Sequence, residues 1–416
     1  MKLIPEYGRY DDYLCLLDTA LCDKVCCLLK EQMDMDLESM QNEGFISLLG
    51  KWLPSIHTSS AETRRYAKIL IEKWGMNEKQ YRKTLSALRE YLDVVEVKMS
   101  ERRWNEIIYE KVPAKANLLY DHAFAKHDEE RRADYLYKVL QGNAKLNGKG
   151  IMPYEIVHRF VKDGYFSKGL KDDLTAELMW KYIREQGFEN EWGLEDCIVV
   201  ADGSGSMYQK ASGSSKVMAI EICMSLAIYF AEQLKGIFYN KAITFSSTLQ
   251  FIDFEKGNGI KEKIEIMSAY NEVANTNIEA VFDLLLAVAT DNNVPREIIP
   301  KQVLIISDME FDKASTPCSQ WGESFKPFTP TLFEIIEEKY KNAGYQMPRL
   351  IFWNVCGRTN TIPKVNNEQG ICLLSGFSQN AMKIALNRNK KTAYESLIEV
   401  LDSPRYESVE KALKGA

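Results

Sequence analysis

C-I-V-V-A-D-G-S-G-S-M, residues 197–207, is the stretch whose reading decides the fold. Its first five residues form a short apolar run, rich in β-branched side chains and too short for a helix, which predicts a fully buried strand. The run stops at Asp202, and Ser204 and Ser206 follow at i+2 and i+4 with glycines between them. Beyond a brief polar stretch, 216–234 is nearly all apolar and predicts a buried helix. Strand, tight loop and buried helix make one unit of an open α/β sheet, where ligands sit outside the carboxyl ends of the strands.

One carboxylate and two hydroxyls are hard oxygen donors, and the glycines let the loop fold tightly enough for all three to converge. Such a donor set, low in charge, suits Mg²⁺ or Mn²⁺, which keep several waters and accept a ligand from a partner. A dinucleotide fingerprint fails because Tyr208 stands where a third glycine is needed. A hydrolase elbow fails because Ser204 lies in D-G-S-G and not G-x-S-x-G. A P-loop would need Gly-Lys-Ser/Thr. The plain alternative is a Ser/Gly turn that only connects strand to helix.

Working outward, the chain of 416 residues is long enough for two domains, with 45% hydrophobic and 27% charged residues, as in ordinary globular proteins. A net charge of −6 argues against wholesale nucleic-acid coating but leaves room for a local basic patch, and nothing points to DNA specificity. No apolar run is long enough to span a membrane, and the start, M-K-L-I-P-E-Y-G-R-Y-D-D, has no signal-peptide core. Nine scattered cysteines, with no second CxxC pair, read as free thiols, mostly buried, in a reducing cytoplasm rather than as zinc ligands or disulfides.

Residues 1–190 read as an all-α domain, with helices expected over 13–31, 45–53, 61–74, 78–93, 100–109, 114–125, 129–141, 154–162 and 168–185. Ser59 or Ser60 and then Asn77 are the caps for two of them. Successive helical pairs suggest an irregular, HEAT-like stack, since Trp52, Trp74 and Trp104 keep no fixed period. Between 61 and 115 thirteen Lys or Arg stand against nine Asp or Glu. Arg64, Arg65, Lys68, Lys79, Arg82, Lys83, Arg89, Arg102 and Arg103 are the candidate contacts for RNA phosphates, with a merely solvated face as the alternative.

Residues 191–416 read as a doubly wound, Rossmann-like α/β domain. A hairpin is expected over 242–254, further strands over 302–307, 350–355 and 371–374, and helices over 259–268, 278–289, 332–343, 380–386, 392–401 and 407–413. The last helix is expected to pack back on the sheet. Two more oxygen donors fall where a metal site needs them: Thr276 in a loop opening a helix, and Asp308 at the carboxyl end of a strand. An N-cap is the plain role for Asp308, and a solvated loop carboxylate the better reading of Asp312. The irregular stretch 313–330, with Trp321 and Phe325, is expected either to border and gate the metal or to be surface padding.

D-x-S-x-S at Asp202, Ser204 and Ser206, followed by Thr276 and Asp308, resembles the metal-ion-dependent adhesion site of von Willebrand factor A (vWA) domains. The resemblance implies that the serines and threonine contact the ion, that the aspartates hold it largely through water, and that a partner carboxylate or other anion completes the shell. Gly203 departs from the apolar residue commoner in that family. A helical-repeat domain before a vWA domain is similar to the Ro (TROVE) ribonucleoproteins. The stretches I-P-E-Y-G-R-Y-D-D (4–12), K-W-L-P-S (51–55), S-D-M-E-F-D (307–312), F-W-N-V with R-T-N-T-I-P (352–363) and L-L-S-G-F-S (373–378) are more specifically similar to an uncharacterised group carrying a domain of unknown function, DUF2828. Ro-type proteins close their helices into a ring that holds RNA. Relatives carry further helices upstream of 4–12, so ring closure stays open here.

The expected function is a non-enzymatic RNA-binding scaffold with Mg²⁺ or Mn²⁺ in its vWA-type site. The alternatives are a protein–protein adaptor whose metal grips a partner Asp or Glu without RNA, and, more weakly, a metal-dependent phosphoryl-transfer enzyme. The last is disfavoured because all four histidines lie in the helical half and no phosphate-cradling loop is present.

Overall fold

Asn77 and Gln80 cap each other reciprocally: Asn77 Oδ1 accepts from the Gln80 amide at 2.8 Å and Gln80 Oε1 from the Asn77 amide at 2.9 Å. The helix they open, Glu78–Tyr91, buries Tyr81, Leu85 and Leu88 along one stripe. Ser60 accepts from the Thr63 amide and starts Ala61–Lys73, which buries Tyr66, Ala67, Leu70 and Ile71. Both stripes meet Val25, Leu29 and Met33 of helix Cys22–Gln41 in one core. In this computed structural model the described residues are 3–162, 165–166, 169–189, 197–213, 215–244, 249–270, 278–308, 330–357, 371–377 and 393–414.

Where the helical reading slips, local hydrogen bonding explains it. The helix expected over 13–31 is a 3-10 helix, Tyr10–Asp18, followed by Cys22–Gln41. Between them Thr19 Oγ1 donates to the Leu16 carbonyl at 2.7 Å and accepts from the Leu21 amide at 3.1 Å, a turn that competes with helix. The helix expected over 154–162 ends at Val157 and passes through a 3-10 turn into a small antiparallel hairpin of β1 (Val161–Lys162) and β2 (Tyr165–Phe166).

The chain forms two compact units, Met1–Val112 with Leu397–Ala416, and Pro113–Ser396. The helix-to-strand change across 190–196 therefore lies inside the second unit. The terminal helix Glu407–Lys414, expected over 407–413, groups with the first unit. It buries no side chain of its own, and the adjoining Tyr406 stacks on Tyr7 with ring centroids 5.3 Å apart. No described helix is long and apolar enough to cross a membrane.

The second unit is built on a six-stranded sheet: β3 (Cys197–Ala201), β4 (Lys241–Thr244), β5 (Gln250–Asp253), β6 (Gln302–Ser307), β7 (Arg349–Asn354) and β8 (Ile371–Ser375). Its order is β5-β4-β3-β6-β7-β8, all parallel except the β4–β5 hairpin at one edge. All five residues of β3 are buried, which is why the strand reads as an unbroken apolar run. Helix Ala219–Ala231 is buried on every side, against β3, β4, β6 and the helices Pro153–Val157 and Ile260–Ala269. Lys263 pairs with Glu232 in the interior, and Trp180 Nε1 donates to the same carboxylate at 2.8 Å, so helix Leu174–Glu189 is locked to the sheet unit. An isolated buried charge would be costly; here it is paired and hydrogen-bonded.

Candidate functional site

β3 and β6 are parallel neighbours in which Ala201 stands opposite Ile306. Asp202 and Asp308 therefore leave the same rim of the sheet, at the point where strand order turns from β4 and β5 on one side to β7 and β8 on the other. Each is only 2% exposed. The Asp202 amide donates to the Ile306 carbonyl at 3.0 Å, carrying the ladder one residue past the strand. Both oxygens of its side chain are held: Oδ2 accepts from Ser307 Oγ at 2.6 Å and Oδ1 from the Ser204 amide at 2.9 Å. A 3-10 turn, Gly205–Tyr208, pinned by the buried Met207, sets Ser206 Oγ 3.0 Å from Ser204 Oγ.

Burial raises the Asp202 carboxyl above the usual aspartate range; hydrogen bonds from Ser307 and Ser204 pull it back, and the charge of Asp308 adds to the push. Cys223, on helix Ala219–Ala231, donates to the Ile306 carbonyl at 3.3 Å. Burial, and then the charge of Asp202, hold its thiol well above the usual range, so it is an inert wall of the site. The loop after the motif is tied down too: the Gly357 amide donates to the Ala211 carbonyl at 2.7 Å, and Lys210 bridges Met218.

Two buried carboxylates and two half-buried hydroxyls at one rim are a hard oxygen set, and a doubly charged cation offsets the like-charge repulsion that burial magnifies. Among the described residues no three His, Cys, Asp or Glu side chains group together, so this donor set leans on hydroxyls. Thr276 lies outside the described residues, as do Asp312, the stretch 313–329 with Trp321 and Phe325, and the helix expected over 380–386. Ser307 escapes the sequence reading. Its signal is a single polar residue ending an otherwise apolar strand, Q-V-L-I-I-S.

The nine basic candidates divide into two groups. Arg65 clasps Asp18 with both guanidinium ends, and the hydrogen bond to that carboxylate raises its own pKa. Arg103 joins Glu90, Glu101 and Glu106. Arg64 donates to the Thr58 carbonyl. Arg89 donates to the carbonyls of Gly50 and Leu53 at 2.9 and 2.7 Å and to Ser55 Oγ at 2.8 Å, holding the turn before helix Ala61–Lys73. Lys68, Lys79, Arg82, Lys83 and Arg102 are exposed. Lys79, Arg82 and Lys83 share one face of helix Glu78–Tyr91 by their i, i+3, i+4 spacing.

One polar pair has no signal in the sequence. His158 Nδ1 lies 2.5 Å from Glu221 Oε2, and the other oxygen of this buried glutamate accepts from the Met218 amide at the start of the helix behind the motif loop. The hydrogen bond to Glu221 raises the His158 imidazole above its usual range, against burial and the charge of Lys216.

The family model described as "Domain of unknown function (DUF7788)" matches residues 196–414, more than half of the chain. The model described as "Domain of unknown function (DUF2828)" matches residues 71–187. The chain is similar to "Uncharacterized protein L728" of Acanthamoeba polyphaga mimivirus, 27% identical over 402 residues, and spans 90% of its own length but 64% of that relative's. It is also similar to the crystal structure of the Deinococcus radiodurans RO (RSR) protein, with a TM-score of 0.41 and 12% identity over 88% of this chain and 75% of that one.

Proposed function

The chain belongs to the DUF7788 family, and we propose that it is a non-enzymatic RNA-binding scaffold with a divalent-cation site of the vWA adhesion type. What carries the reading is the meeting of Asp202, Ser204, Ser206 and Asp308 at one rim of the sheet, with Ser307 orienting Asp202. Strands added outward in both directions from the β3–β6 pair support the doubly wound, vWA-like assignment. Ser204, Ser206, Asp202 and Asp308 would hold Mg²⁺ or Mn²⁺ there, and the resemblance to the vWA site adds Thr276, which lies outside the described residues. Bound there, the ion supplies a Lewis-acidic position for one anionic group of a partner. Lys79, Arg82 and Lys83, with Lys68 and Arg102, offer RNA phosphates a sequence-tolerant face. Buried free thiols at Cys26, Cys197, Cys223 and Cys356 support a reducing, cytoplasmic setting.

The test is filter binding of structured RNA across a salt series, with and without chelator, on the unaltered chain and on Asp202→Ala. RNA affinity that is absent or flat in salt removes the RNA half; an Asp202→Ala chain that still takes up Mn²⁺ removes the metal half. The internal pairing of Arg64, Arg65, Arg89 and Arg103 favours a second reading, a protein adaptor that grips a partner carboxylate at the metal. In that case capture of a protein partner is chelator-sensitive and RNA is not retained.

A further inference from the structure

The His158–Glu221 pair has no part in the donor set, yet hydrogen bonds connect it to the loop that carries those donors. Glu221, in the first turn of helix Ala219–Ala231, is 1% exposed, so its carboxylate is costly without a positive partner. One of its oxygens meets His158 Nδ1 at 2.5 Å, and the other accepts from the Met218 amide at 2.9 Å. Met218 closes a fold-back that starts where the motif turn stops. It bridges Lys210; the Ala211 amide donates to the Val217 carbonyl at 3.0 Å, and the Ala219 amide to the Gln209 carbonyl at 2.9 Å. The path from a half-exposed imidazole thus reaches Gln209, the residue after the turn Gly205–Tyr208 that holds Ser206.

Among the described residues, the charges near His158 leave Glu221 as its counter-ion. Lys216, on the fold-back, opposes a proton on the imidazole. On His158's own segment, Arg159 is taken by Asp121 and Asp173, and Glu155 by Lys115 and the Met152 amide. On the neighbouring helices, Glu177 holds the Ile260 and Lys261 amides and Lys181 pairs with Glu185, while Glu232 takes Lys263 and Arg184.

We propose that His158, acting through Glu221, is a positioning residue for the rim: carrying a proton, it clamps the fold-back over 209–219 and holds the motif turn ready for a divalent cation. The inference rests on the cation reading above. A neutral imidazole leaves Glu221 with a hydrogen bond but no opposite charge, the weaker of the two arrangements. The hydrogen bond to Glu221 raises the imidazole above its usual range. The clamp is therefore complete below the ordinary histidine range and is released as pH rises through the raised value. Linkage runs both ways: a proton that favours the ion is itself favoured by the ion.

The experiment is calorimetric titration of the full chain with Mg²⁺ at about pH 6 and about pH 9, on either side of the histidine range, with His158 followed by its imidazole proton resonances. Between the two pH values the affinity of the unaltered chain is expected to fall about fivefold relative to His158→Gln, whose amide does not titrate. Saturating Mg²⁺ is expected to raise the midpoint of the His158 titration, whereas the bare field of a nearby dication would lower it. Lys216→Ala moves that midpoint upward, and the pH at which affinity falls moves with it, which a merely structural contact would not do. Should His158→Gln fail to fold, Glu221→Gln, with no charge to offer an imidazolium, gives the same flat profile. Parallel profiles in the unaltered chain and His158→Gln, or a midpoint that Mg²⁺ leaves alone or lowers, overturn this proposal alone, since Mg²⁺ still binds. A chain that takes up no Mg²⁺ at either pH overturns the rim reading as well.

Discussion

The rim of the sheet and the basic helices put polar groups to opposite uses. At the rim, Asp202 and Asp308 stand more than a hundred residues apart in sequence and leave adjacent parallel strands on the same edge, where Ser307 bridges to Asp202. On the helices, nine cations crowded between 64 and 103 scatter once folded: four bind carbonyls and carboxylates of the chain itself, and the other five are exposed. Density along the chain is therefore a poor guide to density in space. Strand ends gather distant residues because the ladder forces their register, whereas a helix distributes neighbours around its axis.

The strongest challenge to that contrast is Asp202→Ala, which is expected to weaken Mn²⁺ binding by about 100-fold in a calorimetric titration, with Ser307→Ala costing about tenfold. Unchanged Mn²⁺ affinity in both would mean that the rim gathers these residues for packing alone. Arg89→Ala comes next: losing its three hydrogen bonds is expected to cost about 2–3 kcal/mol in urea unfolding with RNA affinity unaltered. A stable Arg89→Ala chain with weakened RNA binding would return this arginine to the outer face.

The triple change Lys79→Ala, Arg82→Ala, Lys83→Ala sharpens the other side of the contrast. RNA affinity is expected to fall about tenfold and the salt slope to flatten by about 2, with stability held within about 0.5 kcal/mol. The smallest effect concerns the His158–Glu221 pair. Its raised imidazole pKa means that the stabilisation is complete below the ordinary histidine range and is lost as pH rises through the raised value. Because His158 is half-exposed, solvent screening leaves roughly 0.5 kcal/mol between pH 6 and 9. Comparison of urea midpoints with His158→Gln at both pH values reads it, and parallel pH profiles would dismiss the pair.

Strand and helix positions were largely legible because burial writes itself into period and composition: 197–201, 302–307 and the hairpin over 241–253 all announce themselves by apolar runs and a tight turn. The caps at Ser60 and Asn77 were legible for the same local reason. Ser307 and the His158–Glu221 pair were not, since a hydrogen bond across 105 or 63 residues leaves no periodic trace. The inward turn of Arg89 was hidden likewise, because a helical arginine looks the same whether it meets water or a carbonyl.

By itself, then, the sequence determined the kinds of element, their order and the oxygen donors around Asp202, all properties of neighbours within a few residues of one another. Only the tertiary structure decided that the helices of 113–189 belong with the sheet, that the terminal helix joins the first unit, and which basic candidates bind carbonyls and carboxylates of the chain itself. Those outcomes depend on which apolar faces meet, and that is settled by packing among all the elements at once.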